Sequence, residues 1–249
     1  MANIKKTILN FHNKLVKDKT HRYKSWEYCF IDFQDAYIRF KKNKNSISDE
    51  EKDLLALKLG FYLASWGMYR GSSFLLWKDY KIHKPIINKL FNSSLWENSL
   101  KLDILIEKYF NNEKEKENFI SDYYDSLKKL YCKIEKYYNR VKYIKPKFRK
   151  PKNANPTKTL ITKILLGTIC CCPAYDDNVI AGLRKKGFIG IFGESSFKNI
   201  MDFYFRNRKT FYKIKIKIKN TDFYYPPMKL IDMYFWEIGR IANKNKYEN

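Results

Sequence analysis

The residues placed as if for chemistry fall in three short stretches. LLGTICCCPAYDDNVIAGLRKKG sets two adjacent carboxylates, Asp176 and Asp177, behind an apolar run and a proline, with Tyr175 before them and Arg184, Lys185 and Lys186 closing the segment. SWGMYRGSSF puts Arg70 beside the hydroxyls of Ser72 and Ser73, where a helix starting at either serine would present N–H groups to an anion. YIKPKFRKPKNANPTK interleaves Lys145, Lys147, Arg149, Lys150 and Lys152 with Tyr143 and Phe148, a pattern suited to gripping a phosphate backbone while stacking an unpaired base. Each stretch also has a plainer use: Asp176 suits a helix cap, Ser73 a cap and Arg70 an ion pair, and the third segment a solvated linker.

Composition narrows the partners. The 249 residues carry 50 Lys and Arg against 26 Asp and Glu, a formal charge of +24, and this excess points to a polyanionic partner, nucleic acid (DNA or RNA) or an anionic membrane surface, with an acidic protein as a further candidate partner. Most of the excess is lysine, accompanied by abundant Asn, Ile, Tyr and Phe, the composition an A/T-rich genome produces without selection for binding. From Lys136 to Tyr175 there is no acid, and none lies between Asp202 and Asp222. No nucleotide loop, metal-ligand cluster or nucleophile triad is visible, so no metal and no cofactor is expected. His12, His21 and His83 stand at no ligand spacing from a cysteine, and Cys170, Cys171 and Cys172 are adjacent, which suits buried reduced thiols better than disulfides. The N-terminus lacks an apolar signal core, and Lys58 and Arg70 interrupt the most apolar passage. A cytoplasmic protein that does not enter a membrane is expected.

Periodicity predicts a mainly α, compact protein of many helices. Ile4, Ile8, Phe11 and Leu15 mark a first helix, and Trp26, Phe30, Phe33, Tyr37 and Phe40 an aromatic-faced second one. Ser48 with Glu51 forms a capping box for a buried central helix running through LLALKLGFYLASWGMYRG, in which Gly60, Ala64, Gly67 and Gly71 would leave a smooth groove. Three heptads predict a long helix over 112–141. Thr157 caps a helix that includes the cysteine run and ends at Pro173, Ser195 or Ser196 caps another, and Pro226 opens the last. The alternation of Ile214, Ile216 and Ile218 with lysines predicts at most one short lysine-rich β segment near 211–219. An N-terminal lobe (1–142), a basic linker (143–156) and a C-terminal lobe (157–249) are the expected divisions.

SWGMYRGSSFLL, LLGTICCCPAYDDNV and YPPMKLIDMYFWEIG together resemble a recurrent family of bacterial proteins of unassigned function, a resemblance that covers most of the chain and implies no activity. More distantly, PAYDDNV resembles the VDTHV-like segment of helix-hairpin-helix DNA glycosylases. That resemblance implies a DNA-base-processing enzyme in which Asp176 stabilises an oxocarbenium-like transition state or activates water, with Lys163 as the nearby amine. Nucleic-acid binding through the basic surfaces is the leading expectation, with that enzyme and a subunit meeting an acidic protein as alternatives.

Overall fold

The computed structural model describes residues 3–18, 20–145 and 150–247. Pro146, Lys147, Phe148 and Arg149, three of them named above as interface candidates, lie outside the described residues. Among those described the chain is mainly α-helical, in the order α1 (Ile4–Lys17), α2 (Ser25–Lys42), α3 (Asp49–Ser65), α4 (Lys84–Phe91), α5 (Leu95–Leu100), α6 (Leu102–Tyr109), α7 (Glu113–Asn139), α8 (Lys158–Gly167), α9 (Asp177–Lys185), α10 (Glu194–Tyr212) and α11 (Pro227–Tyr247). Three short 3-10 helices and one antiparallel pair, β1 (Lys142–Tyr143) with β2 (Lys152–Asn153), complete it.

Several helix starts follow directly from side chains that accept otherwise unbonded N–H groups. Ser48 accepts from Glu51 N at 3.1 Å, Thr157 from Leu160 N at 3.1 Å and Asp176 from Val179 N at 3.1 Å. Other expectations are corrected. α10 begins at Glu194 behind Gly193, because the Ser196 hydroxyl is drawn instead to the Ile189 carbonyl at 2.6 Å. α8 ends at Gly167, so the cysteine run lies beyond it, buried in irregular chain. Near 211–219, Ile214, Ile216 and Ile218 are buried and the lysines between them exposed, as alternation predicts, but the backbone forms only the single bridge Lys217–Tyr224. The paired strands lie instead within the segment expected as a linker.

Contacts divide the chain into two compact units that interleave in sequence. One comprises Met1–His21, Ser94–Leu127 and Cys170–Asn249, the other Arg22–Ser93 and Lys128–Ile169. They are not the sequential lobes 1–142 and 157–249, and β1 and β2, at the two ends of the segment expected as a linker, pair with each other within the second unit.

In the first unit α9 and α11 come close enough for backbones to touch. A Cβ on Gly182 would stand 1.9 Å from the Phe235 carbonyl oxygen, and one on Gly239 would stand 1.7 Å from that of Asn178. α1 packs on α11 with Phe11 edge-on to Trp236 at 5.3 Å. The buried carboxylate of Asp232 accepts from Lys229 Nζ at 3.1 Å and from Ala174 N at 3.0 Å, so neither charge is left unbonded. In the second unit α2 pairs with α3 through Arg39–Glu51 at 2.6 Å and Lys58–Asp32 at 3.1 Å. It is tied to α8 by the Trp26 indole donating to the Leu166 carbonyl at 2.9 Å. α3 is buried on one face only: Leu55, Leu59 and Leu63 face inward, whereas Leu54, Leu57 and Phe61 are exposed. Among the described residues no helix is long and apolar enough to cross a membrane.

The glycine contacts give a direct test. Gly182→Ala or Gly239→Ala is expected to destabilise the protein by about 3 kcal/mol or more, because rigid backbone cannot yield as a side chain does. Gly193→Ala, whose Cβ would find its nearest neighbour at 3.9 Å, is the neutral control in urea unfolding.

Candidate nucleic-acid interface

α3 stops at Ser65 and the chain reverses through Trp66–Ser73. Gly67 and Gly71 take φ of 77° and 61°, the left-handed region that favours glycine, so they are turn residues rather than the helical groove their spacing predicted. Met68 N donates to the Leu63 carbonyl at 2.9 Å and Ser73 N to that of Arg70 at 3.2 Å. At Gly67 a second demand is added: a Cβ there would stand 2.7 Å from Arg70 Nε and 2.9 Å from its Cζ, so the guanidinium lies across the turn where a side chain would otherwise be. Ser73 accepts from Leu75 N at 3.3 Å and caps the 3-10 helix Phe74–Trp77.

The same turn forms one side of a pocket of about 380 Å³. Its lining includes Arg70, Ser72 and Ser73 of the turn, Tyr143 of β1, and Thr157 and Leu160 at the start of α8. The start of a helix carries the positive end of its dipole, so it adds to the field of the guanidinium. Arg70 is exposed and, among the described residues, pairs with no carboxylate. In the β1–β2 register Tyr143 is opposite Lys152, which puts both side chains on one face of the hairpin, and Lys145 and Lys150 follow along its arms. Arg70, Ser72, Ser73, Lys145, Lys150 and Lys152 therefore belong to one unit. Of these, Arg70, Ser72 and Ser73 line the pocket together with Phe74 and Tyr143, while the three lysines lie on the hairpin that carries Tyr143.

The remaining candidates are placed differently. Lys163 is buried, its ammonium donating to the Trp66 carbonyl at 3.1 Å and standing 5.4 Å from the Trp66 ring. It closes the end of α3 instead of facing a substrate. Tyr175, in the other unit, is also buried: its hydroxyl bonds Ser196 at 2.9 Å and its ring meets Phe192 edge-on, so the expected surface contact is corrected to a core role. Asp176 caps α9. Arg184 and Lys185 are exposed on the last turn of that helix, and Lys186 lies 5.8 Å over the Tyr234 ring. These four belong to the first unit. Among the described residues, no three or more of His, Cys, Asp and Glu are placed to hold a metal ion.

Sequence reading missed a buried chain under the Arg70 turn. His83, at the end of the 3-10 helix Tyr80–His83, hydrogen bonds Tyr69 through Nε2 at 2.7 Å and Tyr138 of α7 through Nδ1 at 2.6 Å. A lone histidine beside Pro85 gives no local sign of this, because both tyrosines reach it only through tertiary packing. Burial pushes the His83 imidazole down to about 3 and the hydroxyls of Tyr69 and Tyr138 up, so all three are uncharged near neutrality. No family model, no curated protein and no solved structure matches the chain, and the function of this surface has to be read from its own geometry.

Two predictions arise here. If capping is the work of Asp176, Asp176→Asn keeps stability within a few tenths of a kcal/mol of the parent, while Asp176→Ala loses about 1 kcal/mol in urea unfolding. For His83, the folded protein resists protonation down to about 3 while the unfolded chain takes a proton near 6.5. Its contribution is therefore complete above that higher value and is lost progressively as pH falls. Between pH 7 and pH 5 the parent is expected to lose about 2 kcal/mol more than His83→Gln, measured as the difference of their two unfolding curves.

Proposed function

We propose that the chain binds nucleic acid through the face of its second unit that carries Arg70, Tyr143 and the lysines of the hairpin. The observation that carries this reading is the Arg70 guanidinium. It is exposed at a pocket of about 380 Å³, laid across Gly67 by the turn, and left without a carboxylate among the described residues. A guanidinium presents a planar fork that matches two oxygens of a phosphate, and the serine hydroxyls and the start of α8 add donors and positive field to the same space. Tyr143 supplies a ring on which an unpaired base can stack, and Lys145, Lys150 and Lys152 supply charge that follows a backbone without reading sequence. This division of labour favours single-stranded over duplex substrate, since a duplex has no base to lay on Tyr143.

Binding of this kind is largely the release of counterions from phosphate and therefore weakens steeply with salt. Affinity of the parent for a mixed-sequence single strand should fall by at least tenfold from about 50 to about 200 mM salt. Arg70→Ala should weaken binding to every sequence alike and lower the slope of log affinity against log salt by about 1. A parent whose affinity is flat over this range, or an Arg70→Ala variant with unchanged slope, would remove the proposal.

A further inference from the structure

Resting on the reading of the pocket as a phosphate seat, we infer that Tyr69, His83 and Tyr138 are positioning residues, a buried hydrogen-bonded post that fixes where the Arg70 guanidinium stands.

The Trp66–Ser73 turn needs such a post. It contains two glycines in the left-handed region, Gly67 and Gly71, on either side of Arg70, and glycine is where a backbone swings most freely. Backbone bonds hold its two ends, Met68 N to the Leu63 carbonyl and Ser73 N to the Arg70 carbonyl. Between those ties, the residue next to Arg70 turns inward. The Tyr69 hydroxyl hydrogen bonds His83 Nε2 at 2.7 Å. His83, fully buried, is held in turn by Tyr138, also fully buried, at 2.6 Å. The Tyr137 hydroxyl donates to the Ile82 carbonyl at 2.9 Å and makes a second link from α7 to the same segment.

The post also connects to aromatic residues of the pocket lining. Tyr138 packs against Phe74 at 5.6 Å between ring centroids, and Phe74 against Tyr143 at 6.3 Å. The turn that carries the cation is thus bonded to the imidazole directly, and the Tyr143 ring is linked to it through Phe74 and Tyr138. A neutral imidazole offers one donor and one acceptor, and two hydroxyls satisfy both without any charge that would compete with an incoming phosphate for Arg70. Nothing in the post needs to touch the ligand.

The test is a double-mutant cycle with a readout that stands apart from binding. Tyr69→Phe removes one hydroxyl and keeps the ring. In the parent background it is expected to weaken binding of a fluorescent oligothymidylate about fivefold, the effect of a lost hydrogen bond, while in the Arg70→Ala background it changes affinity by less than about twofold. An equal loss in both backgrounds, or no loss in the parent background despite a lower melting temperature, overturns the inference. The second readout needs no nucleic acid. The Nε–H resonance of Arg70, assigned as the signal absent from Arg70→Ala, is expected to move toward the position of freely solvated arginines in Tyr69→Phe, and an unmoved signal overturns the inference as well. If the parent binds no nucleic acid, the proposed function fails, and the Nε–H signal still decides whether the post sets the guanidinium.

Discussion

One backbone position, Gly67, constrains everything built at the end of α3. It must accept a φ of 77°, the left-handed region that favours glycine, and it leaves open the space in which the Arg70 guanidinium lies, 2.7 Å from where a Cβ would stand. The reversal it permits sends adjacent side chains in opposite directions, Tyr69 toward His83 and Arg70 toward solvent. It also creates a debt common to every helix end, carbonyl oxygens with no following N–H to accept. Part of it is met from another helix: Lys163 of α8 donates to the Trp66 carbonyl, placing a buried cation where the dipole of α3 favours one. A lysine that is only 4% exposed is thereby explained without a catalytic role.

The sequence was most legible where local chemistry decides the outcome. Ser48, Thr157 and Asp176 each cap the helix they were read as capping, and the aromatic stripe Trp26, Phe30, Phe33, Tyr37 and Phe40 faces inward along α2. Misreadings arose where one spacing serves two structures. Gly60, Ala64, Gly67 and Gly71 keep helical intervals, yet only Gly60 sits in α3 where close approach demands it, a Cβ there lying 2.9 Å from that of Tyr80. The isoleucine and lysine alternation near 211–219 correctly sorted inside from outside but could not supply a partner strand. Long-range features were beyond local reading. Arg70 and Tyr143 are more than seventy residues apart in sequence, and neither marks the other as its neighbour across the pocket.

The charge of the chain can be weighed residue by residue rather than in sum. With 50 basic residues and 26 acidic ones, many carboxylates are already engaged: Asp32 with Lys58, Asp49 with Lys84, Asp232 with Lys229, and Glu237 with both Lys14 and Arg240. The excess therefore stays unneutralised, and most of it is lysine. Arginine is the better witness. Arg39 pairs with Glu51, Arg208 with Glu107 and Arg240 with Glu237, each a guanidinium matched to a carboxylate of the fold. Arg70 pairs with no carboxylate among the described residues, and neither do Arg22, Arg140, Arg184 and Arg206; what sets Arg70 apart is that it lies over a glycine and lines a pocket. A bias toward lysine does not place an arginine there, nor does it supply the glycine beneath it and the half-buried tyrosine beside it. The local design leaves an exposed guanidinium beside a pocket without a carboxylate of the fold among the described residues.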